Sequence, residues 1–590
     1  MKYQVNSLSK APQPMPKMTF NKILPGVNSR NPIQGHFLRI IFLLFSIVSA
    51  NTAFAKLDLS VTQSSDSVDR YDIFEVTFHH ERSYPNPWEK INITVEFIHL
   101  PSQERFTVGG FYYDRFTWKA RFAPIQTGSW SYQYRFTDGT DTLAGSGSFL
   151  CIPSDNPGFI RINPENPYQF VFDNGDDFFP LGFGSCNQMN MFGFDGPDRW
   201  KVRDKHTAFK PNPPSLDVDS YFKIFREAGF NIYRWSNNNC SYSVYQRIGR
   251  HGNRYRVKEG LLLDELCRTL KKYKYRMIFV PFNTKDLTKP RFVTDTLQVE
   301  AVKRYLKYCI DRWGAFVDIW ELFNEKRISR EWLAILVPFV RENDPYSHLV
   351  TSNPSKVAAH LFDLYTEHYY ERKPNSLIDK KLIRKYKKKS KRPKKPLIYT
   401  EYGNRQPYSN YHPLRYRVFI WTAFMNQQHL IFWNNSFAKY DSGGVGNYTN
   451  VYLGPEERAL TKVFTRFIEG FPGKLHPVKL PVSAPAKVRV HAIAAPNDLM
   501  AYFYYFADRP DTRSGREDDT GPLMKGLTVQ VPVPRGANKA VWLDPATGTV
   551  LECTPVKPGK RTLRVPDFMI DIALRITGNH VINQLCSKAL

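Results

Sequence analysis

The sequence predicts a multidomain chain: an N-terminal β-sandwich, a central (β/α)8 TIM barrel and a C-terminal β-sandwich, behind a leader at residues 1–55. Three observations predict it. A length of 590 residues is too great for one ordinary core. The apolar pattern changes period twice, from strict alternation to alternating helical and strand runs and back again. Hydrophobic residues at 42% and aromatics at 15% exclude disordered, collagen-like and low-complexity chains.

Residues 1–55 carry six basic residues (Lys2, Lys10, Lys17, Lys22, Arg30, Arg39) and no acid, then an apolar run Ile40–Val48 and the small-residue pattern Ala53-Phe54-Ala55. This is the layout of a secretory signal peptide cleaved near Ala55, and it predicts a secreted or periplasmic protein. The basic stretch is long for such a leader, so Met15 or Met18 is an alternative start. The apolar run is short for a membrane span, although an uncleaved anchor is the alternative. No later segment has enough continuous apolar residues to span a bilayer. Export permits disulfides without requiring them. The seven cysteines are scattered and odd in number, without C-x-x-C spacing, so neither a zinc site nor a disulfide framework is expected. Cys267 and Cys309 fall on apolar helical faces and read as core.

Residues 56–155 alternate in short runs such as YDIFEVTF, INITVEFI and GSWSYQYRF, separated by turn residues. This is the pattern of an antiparallel sandwich. Trp88, Trp118 and Trp130 read as its core. Residues 156–478 alternate helices and strands. Asp219 is placed to cap a helix through Tyr221, Phe222, Phe225 and Ala228; Leu262–Tyr273 and Val299–Trp313 line two more. Eight strand runs follow the series FFPLGFG (178–184), NIYRW (231–235), RMIFVPF (276–282), VDIWELF (317–323), HLVTSN (348–353), LYTEHYY (364–370), PLIYTEYG (396–403) and HLIFWNNS (429–436). Repeated strand–helix units over this length fit the barrel. A doubly wound open sheet is the rival, weakened because no glycine-rich phosphate loop follows any strand. Residues 479–590 return to period two in AKVRVHAI, LMAYFYYF and LTVQVPVP, a second, smaller sandwich.

Side chains at the C-terminal ends of barrel strands converge on one mouth. Two ends place a glutamate where an apolar strand runs into a polar loop: Trp320-Glu321-Leu322-Phe323-Asn324-Glu325 and Ile398-Tyr399-Thr400-Glu401-Tyr402-Gly403. Two carboxyls facing each other across a pocket can divide acid/base and nucleophilic work, as glycoside hydrolysis requires. Glu321, four residues before Glu325, is expected on the same strand face, as a buried partner of Arg234 or of another barrel polar group and not as a third catalyst.

The WELFNE and YTEYG segments resemble the clan A glycoside hydrolases, which include family 5. The resemblance implies Glu325 as acid/base, Asn324 as donor to a sugar 2-hydroxyl and Glu401 as nucleophile, with retention of configuration. It implies further that Arg234 holds the nucleophile ionised, that His368 and Tyr370 are the clan's His-x-Tyr, with the tyrosine bonded to the nucleophile, and that Trp433 floors the sugar subsite by stacking. Two positions depart from family 5: Lys326 stands where many relatives have proline, and Asn283 follows Phe282 where a histidine is usual. TWKARFAPIQTGSWSYQYRF resembles the DUF5060-type sandwich, and NPGFIRINPENPYQFVFDNGDDFFPLGFG resembles the entry to an apiosidase-like DUF4038-type barrel. VWLDPATG resembles the small sandwich that closes such proteins.

No metal or cofactor is expected in this chemistry. The expected partner is a carbohydrate substrate. The alternative is a catalytically inactive carbohydrate- or polyanion-binding surface protein on the same scaffold. Of the +27 net charge, the leader carries six, and residues 377–396 carry eleven Lys or Arg against one Asp. That run reads as a solvated segment, with an anionic glycan or surface as its functional alternative. No nucleic-acid recognition module is present, so nucleic acid is not expected as a partner.

Overall fold

The computed structural model describes residues 57–185, 209–211, 218–237, 243–283, 287–325, 328–371, 394–404, 413–434, 438–440, 453, 455–483, 488–505 and 522–578. The leader lies outside them, as does the basic run apart from its last three residues.

Residues 60–152 form an eight-stranded, mostly antiparallel sheet. Its strand Arg105–Asp114 is shared: residues 105–109 pair with Asn92–His99 and residues 110–114 with Thr117–Phe122. The predicted alternation holds, as in Phe74–His79, where every second side chain is buried. The Phe74 ring stacks on Phe149 at 3.9 Å and meets Phe97 edge-on at 6.1 Å, so inward residues of strands distant in the sheet share one core. Trp118 and Trp130 are buried there, and Trp88 is partly exposed against Tyr112 and Tyr255.

All eight predicted barrel strands are present: β1 (Leu181–Ser185), β2 (Ile232–Ser236), β3 (Arg276–Val280), β4 (Ile319–Glu321), β5 (Leu349–Thr351), β6 (Tyr365–Glu371), β7 (Leu397–Asn404) and β8 (His429–Asn434). They pair in parallel and in chain order, with β8 returning to β1, which gives a nearly closed barrel. Between β5 and β6 there is no ladder. The seam is joined instead by the Asp363 amide donating to the Val350 carbonyl, by Thr351 Oγ1 donating to the Leu364 carbonyl at 3.0 Å, and by Thr366 Oγ1 donating to the Ser352 carbonyl at 2.7 Å. Helices α1 (Val218–Glu227), α2 (Val257–Lys272), α3 (Thr296–Trp313), α4 (Arg330–Asn343), α5 (Pro413–Met425) and α6 (Pro455–Ile468) flank the strands. Asp219 lies within the first turn of α1, where its carboxylate accepts from Lys272 Nζ and Tyr273 Oη rather than capping the helix. No helix among the described residues is long and apolar enough to cross a membrane.

The barrel bottom is closed by a small antiparallel sheet, Ile160–Ile162, Phe170–Phe172 and Asp177–Phe178. Its Ile160, Phe170 and Phe178 pack on a ring of inward aliphatic residues that includes Ile232, Ile278, Ile319, Ile398 and Ile431. One glycine is dictated by this geometry: a Cβ on Gly182 would lie 2.1 Å from the Ile232 carbonyl oxygen.

Residues 476–577 form a six-stranded and a three-stranded sheet. Phe503, Trp542 and Leu574 of the first share a core with Val529 and Val531 of the second. Arg417 of α5 reaches this part of the chain with two 2.9 Å bonds to Asp571. Cys151, Cys267 and Cys309 are free and buried, whereas Cys553 is disulfide-bonded.

Candidate active site

Along each strand, side chains two residues apart share a face. The aliphatic ring at the barrel bottom therefore sets what lies above it: Arg234 two residues after Ile232, Glu321 after Ile319, Thr400 after Ile398 and Trp433 after Ile431. Arg234 is fully buried and organises the set. Its Nε and Nη2 donate to the two Glu321 oxygens at 2.9 Å each, Nη1 donates to Glu401 Oε1 at 2.9 Å, and Nη2 also donates to Asn324 Oδ1 at 2.8 Å. The expected role of Glu321 as partner of Arg234 is thus observed. Two buried carboxylates on one guanidinium, with fork geometry on Glu321, fix its plane.

The same contacts fix the Asn324 amide. A guanidinium only donates, so Oδ1 faces Arg234 and Nδ2 faces away, where it donates to Asn283 Oδ1 at 2.8 Å. The other N–H of that amide remains available to a further acceptor. The contact with Asn283 was not legible in the sequence, because it joins the ends of different strands.

Neither glutamate reaches the pocket by simple alternation. Glu401 follows the inward Thr400, so alternation would turn it outward. A β-bulge intervenes: Glu367 pairs with Tyr399 and His368 with Glu401, leaving Thr400 as the extra residue, and the pairing of β7 with β8 shifts at the same place. A bulge bends the strand and re-aims the next side chain, so Thr400 and Glu401 both face inward. Thr400 Oγ1 donates to Glu321 Oε1 at 3.4 Å while Glu401 meets Arg234. Glu325 is not on the strand face of Glu321, as had been expected from their spacing, because β4 ends at Glu321. It comes in through a left-handed backbone turn, φ +52°.

His368 bridges the two carboxylates. Its Nδ1 lies 2.8 Å from Glu325 Oε1 and 3.3 Å from Glu401 Oε2. One ligand atom each from Glu325, His368 and Glu401 all lie within 4.8 Å of one another. Glu401 is 5% exposed and Glu325 50%, so one carboxyl is sheltered and the other opens to solvent. Trp433 is buried on β8, with Gly184 beside its ring, where a Cβ would make an ordinary 3.5 Å contact. Tyr370 lies on β6 paired with Gly403, and its side chain is outside the described ones. The three-residue cluster has a spacing that a divalent cation would also span. Arg234, 2.9 Å from Glu401, already supplies positive charge there and would repel such an ion. Of the basic run, Lys395 is described: its Nζ donates to the carbonyls of Ala359 and Phe362, a structural contact.

The family profile described as Domain of unknown function (DUF5060) matches residues 67–137, within the N-terminal sheet. No curated protein matches the chain. Among solved structures, the chain is similar to a candidate glycoside hydrolase from Bacteroides vulgatus, with 19% identity, 87% of this chain and 100% of that chain covered, and a TM-score of 0.59. That likeness shows a shared fold. Likenesses to a GH30 endoxylanase from Clostridium papyrosolvens (14% identity, 68% and 97% covered, TM-score 0.39) and to a β-glucuronidase from Parabacteroides merdae (9% identity, 89% and 75% covered, TM-score 0.34) are too slight to carry an argument.

Proposed function

We propose that the chain is a secreted retaining glycoside hydrolase that cleaves O-glycosidic bonds of a poly- or oligosaccharide by a two-glutamate double displacement. One observation carries the reading: Glu325 from the end of β4 and Glu401 from β7 converge, with one carboxylate oxygen of each within 4.8 Å. Retaining enzymes hold their carboxyls about 5–5.5 Å apart, whereas inverting ones leave about 6.5–9.5 Å for a water.

In this reading Glu401, sheltered and oriented by Arg234, attacks the anomeric carbon. Glu325 donates its proton to the departing glycosidic oxygen. The glycosyl–Glu401 ester is then hydrolysed by a water that gives its proton to Glu325 as the sugar leaves. The open side of Glu325 suits this exchange with solvent. His368 keeps the two carboxyls in register, the free Asn324 N–H meets the sugar 2-hydroxyl, and Trp433 offers an apolar face to the ring. The leader 1–55, a sandwich at 56–155, the barrel at 156–478 and a sandwich at 479–590 complete the proposed organisation.

A panel of fluorogenic glycosides and plant or microbial polysaccharides identifies the substrate. On it, Glu401→Gln is expected to abolish turnover with the fold intact, and proton NMR of the first product formed should show the substrate's own anomer. Wild-type turnover in that variant, or an inverted product, overturns the reading. Treatment with EDTA is expected to leave turnover unchanged; a loss restored by a divalent ion would reassign the Glu325, His368 and Glu401 cluster to metal binding.

A further inference from the structure

A second concavity lies at the other end of the barrel from the paired glutamates. It has a volume of about 830 Å³ and is bounded by residues 69–73 of the N-terminal sheet, the connection 154–159, the C-terminal ends of α1 and α2, and the starts of β3 and β4. Such a volume accommodates a small organic ligand.

Cations from four separate elements meet there: Arg70 beside the N-terminal sheet, Arg226 at the end of α1, Lys271 and Lys274 at the end of α2, and Arg276 at the start of β3. Cations at helix C-termini answer the partial negative charge of the last carbonyls, which accounts for Arg226 and Lys271. It does not account for Arg70 or Arg276. Carboxylates neutralise the set only in part. Among the described residues none lies within 4.0 Å of Arg70, Arg226 or Lys274, Arg276 approaches Asp318 only to 3.8 Å, and Lys271 approaches Asp72 to 3.5 Å. Asp318 accepts from the backbone N–H groups of Ile160 and Met277. Asp69 and Asp155 also line the cavity but are solvent-exposed, and Glu75 is taken up by Lys119, Arg121 and Arg268. Burial, with the neighbouring Arg276 charge acting in the same direction, pushes the Arg226 and Lys271 side chains below their ordinary pKa values. Cations that repel one another in a concave, partly desolvated site favour a bound anion.

We propose that this cavity is an anion-binding site, separate from the catalytic pocket, that takes a small ligand bearing a phosphate, sulfate or carboxylate group through Arg226, Lys271, Lys274 and Arg276. The inference does not depend on the hydrolase reading. The test is calorimetric titration of the full chain with inorganic phosphate and, separately, with digalacturonate, ionic strength being held constant with sodium chloride. Saturable binding of at least one is expected, weakened at least tenfold in Arg226→Gln and in Lys274→Gln and unchanged in Glu401→Gln. Tighter phosphate points to a free oxyanion as the source, and tighter digalacturonate to an acidic saccharide. Lys274 is exposed, so its variant tests the site without disturbing the core. Absence of saturable binding by both ligands, binding untouched by both cavity variants, or binding lost in Glu401→Gln would overturn the proposal.

Discussion

Arg234 holds two buried carboxylates, Glu321 and Glu401, at the barrel mouth, and this environment makes Glu321 the most informative residue to change. Removing one member of a buried pair leaves the other charge uncompensated and costs about 3–5 kcal/mol. Glu321→Ala is therefore expected to lower the melting temperature by several degrees. Glu321→Gln keeps the shape and one acceptor, so it should recover most of the stability. It still lets the guanidinium shift against Glu401, and small misplacements of reacting groups cost about ten- to a hundred-fold in rate. Its expected signature is a kcat loss of that size with KM little changed; a change confined to KM would mean that Glu321 acts on substrate binding alone. Glu325 has the opposite character. Its left-handed backbone costs about 1 kcal/mol for a residue with a Cβ, and its carboxylate crowds that of Glu401. Glu325→Gly should thus resist urea at least as well as the wild type while losing turnover. A destabilised Glu325→Gly would show that the His368 contact outweighs both costs.

At the scale of elements, the bulge in β7 lets two successive side chains, Thr400 and Glu401, face the pocket. Deleting Thr400 removes the extra residue and leaves Glu401 directly after the outward Tyr399 and opposite His368, so alternation itself keeps its side chain inward. Turnover should fall but persist. Thr400→Val keeps the extra residue and gives up only the long 3.4 Å bond to Glu321, so most activity should remain. Complete loss of turnover in the deletion would mean that the bend of the bulge, and not its register alone, aims Glu401. The bulge also marks the limit of what the sequence discloses. The eight strands are legible because each is a short apolar run bounded by polar residues, and Glu325 and Glu401 stand out because each ends such a run. Thr400-Glu401 itself reads as plain alternation, since its bulge arises from how β7 pairs with β6 and β8. The left-handed position of that turn is held by Glu325 itself, and neither glycine nor asparagine stands there to announce it. The three-stranded closure at 160–178 is hidden for a related reason: its strands are two or three residues long, below the length at which a period can be read.

For the molecule as a whole, acid sensitivity follows from histidines buried well away from the barrel mouth. His80 lies in the N-terminal sheet, stacked on Trp118 at 4.7 Å, and His491 lies in the C-terminal sheet, stacked on Tyr504 at 5.9 Å. Burial, aided by Arg82, holds His80 down to about 4, and burial, aided by Arg489, holds His491 down to about 4. Between pH 6.5 and 4 the unfolded chain therefore binds protons that the folded chain refuses. Unfolding free energy rises with pH wherever the unfolded state holds more protons, so stability should fall as pH drops through this window. A shift of this size amounts to about 3 kcal/mol at most for His491. The carboxylates of Glu75 and Asp264 act below that window. Burial opposes their ionisation, but Arg121 pairs with both and Arg312 with Asp264, and these guanidiniums hold them below their ordinary values. The stability they contribute is lost as pH falls further, and with it the contact of Arg121 in the N-terminal sheet with α2. Urea unfolding from pH 7 to 3 should thus show a steady loss that steepens below 4, and His491→Gln should flatten the slope between 6.5 and 4 while leaving the steeper loss below 4 in place. A slope unchanged in that variant would mean that His491 takes up its proton without unfolding, and that the acid sensitivity belongs to His80 and the carboxylates.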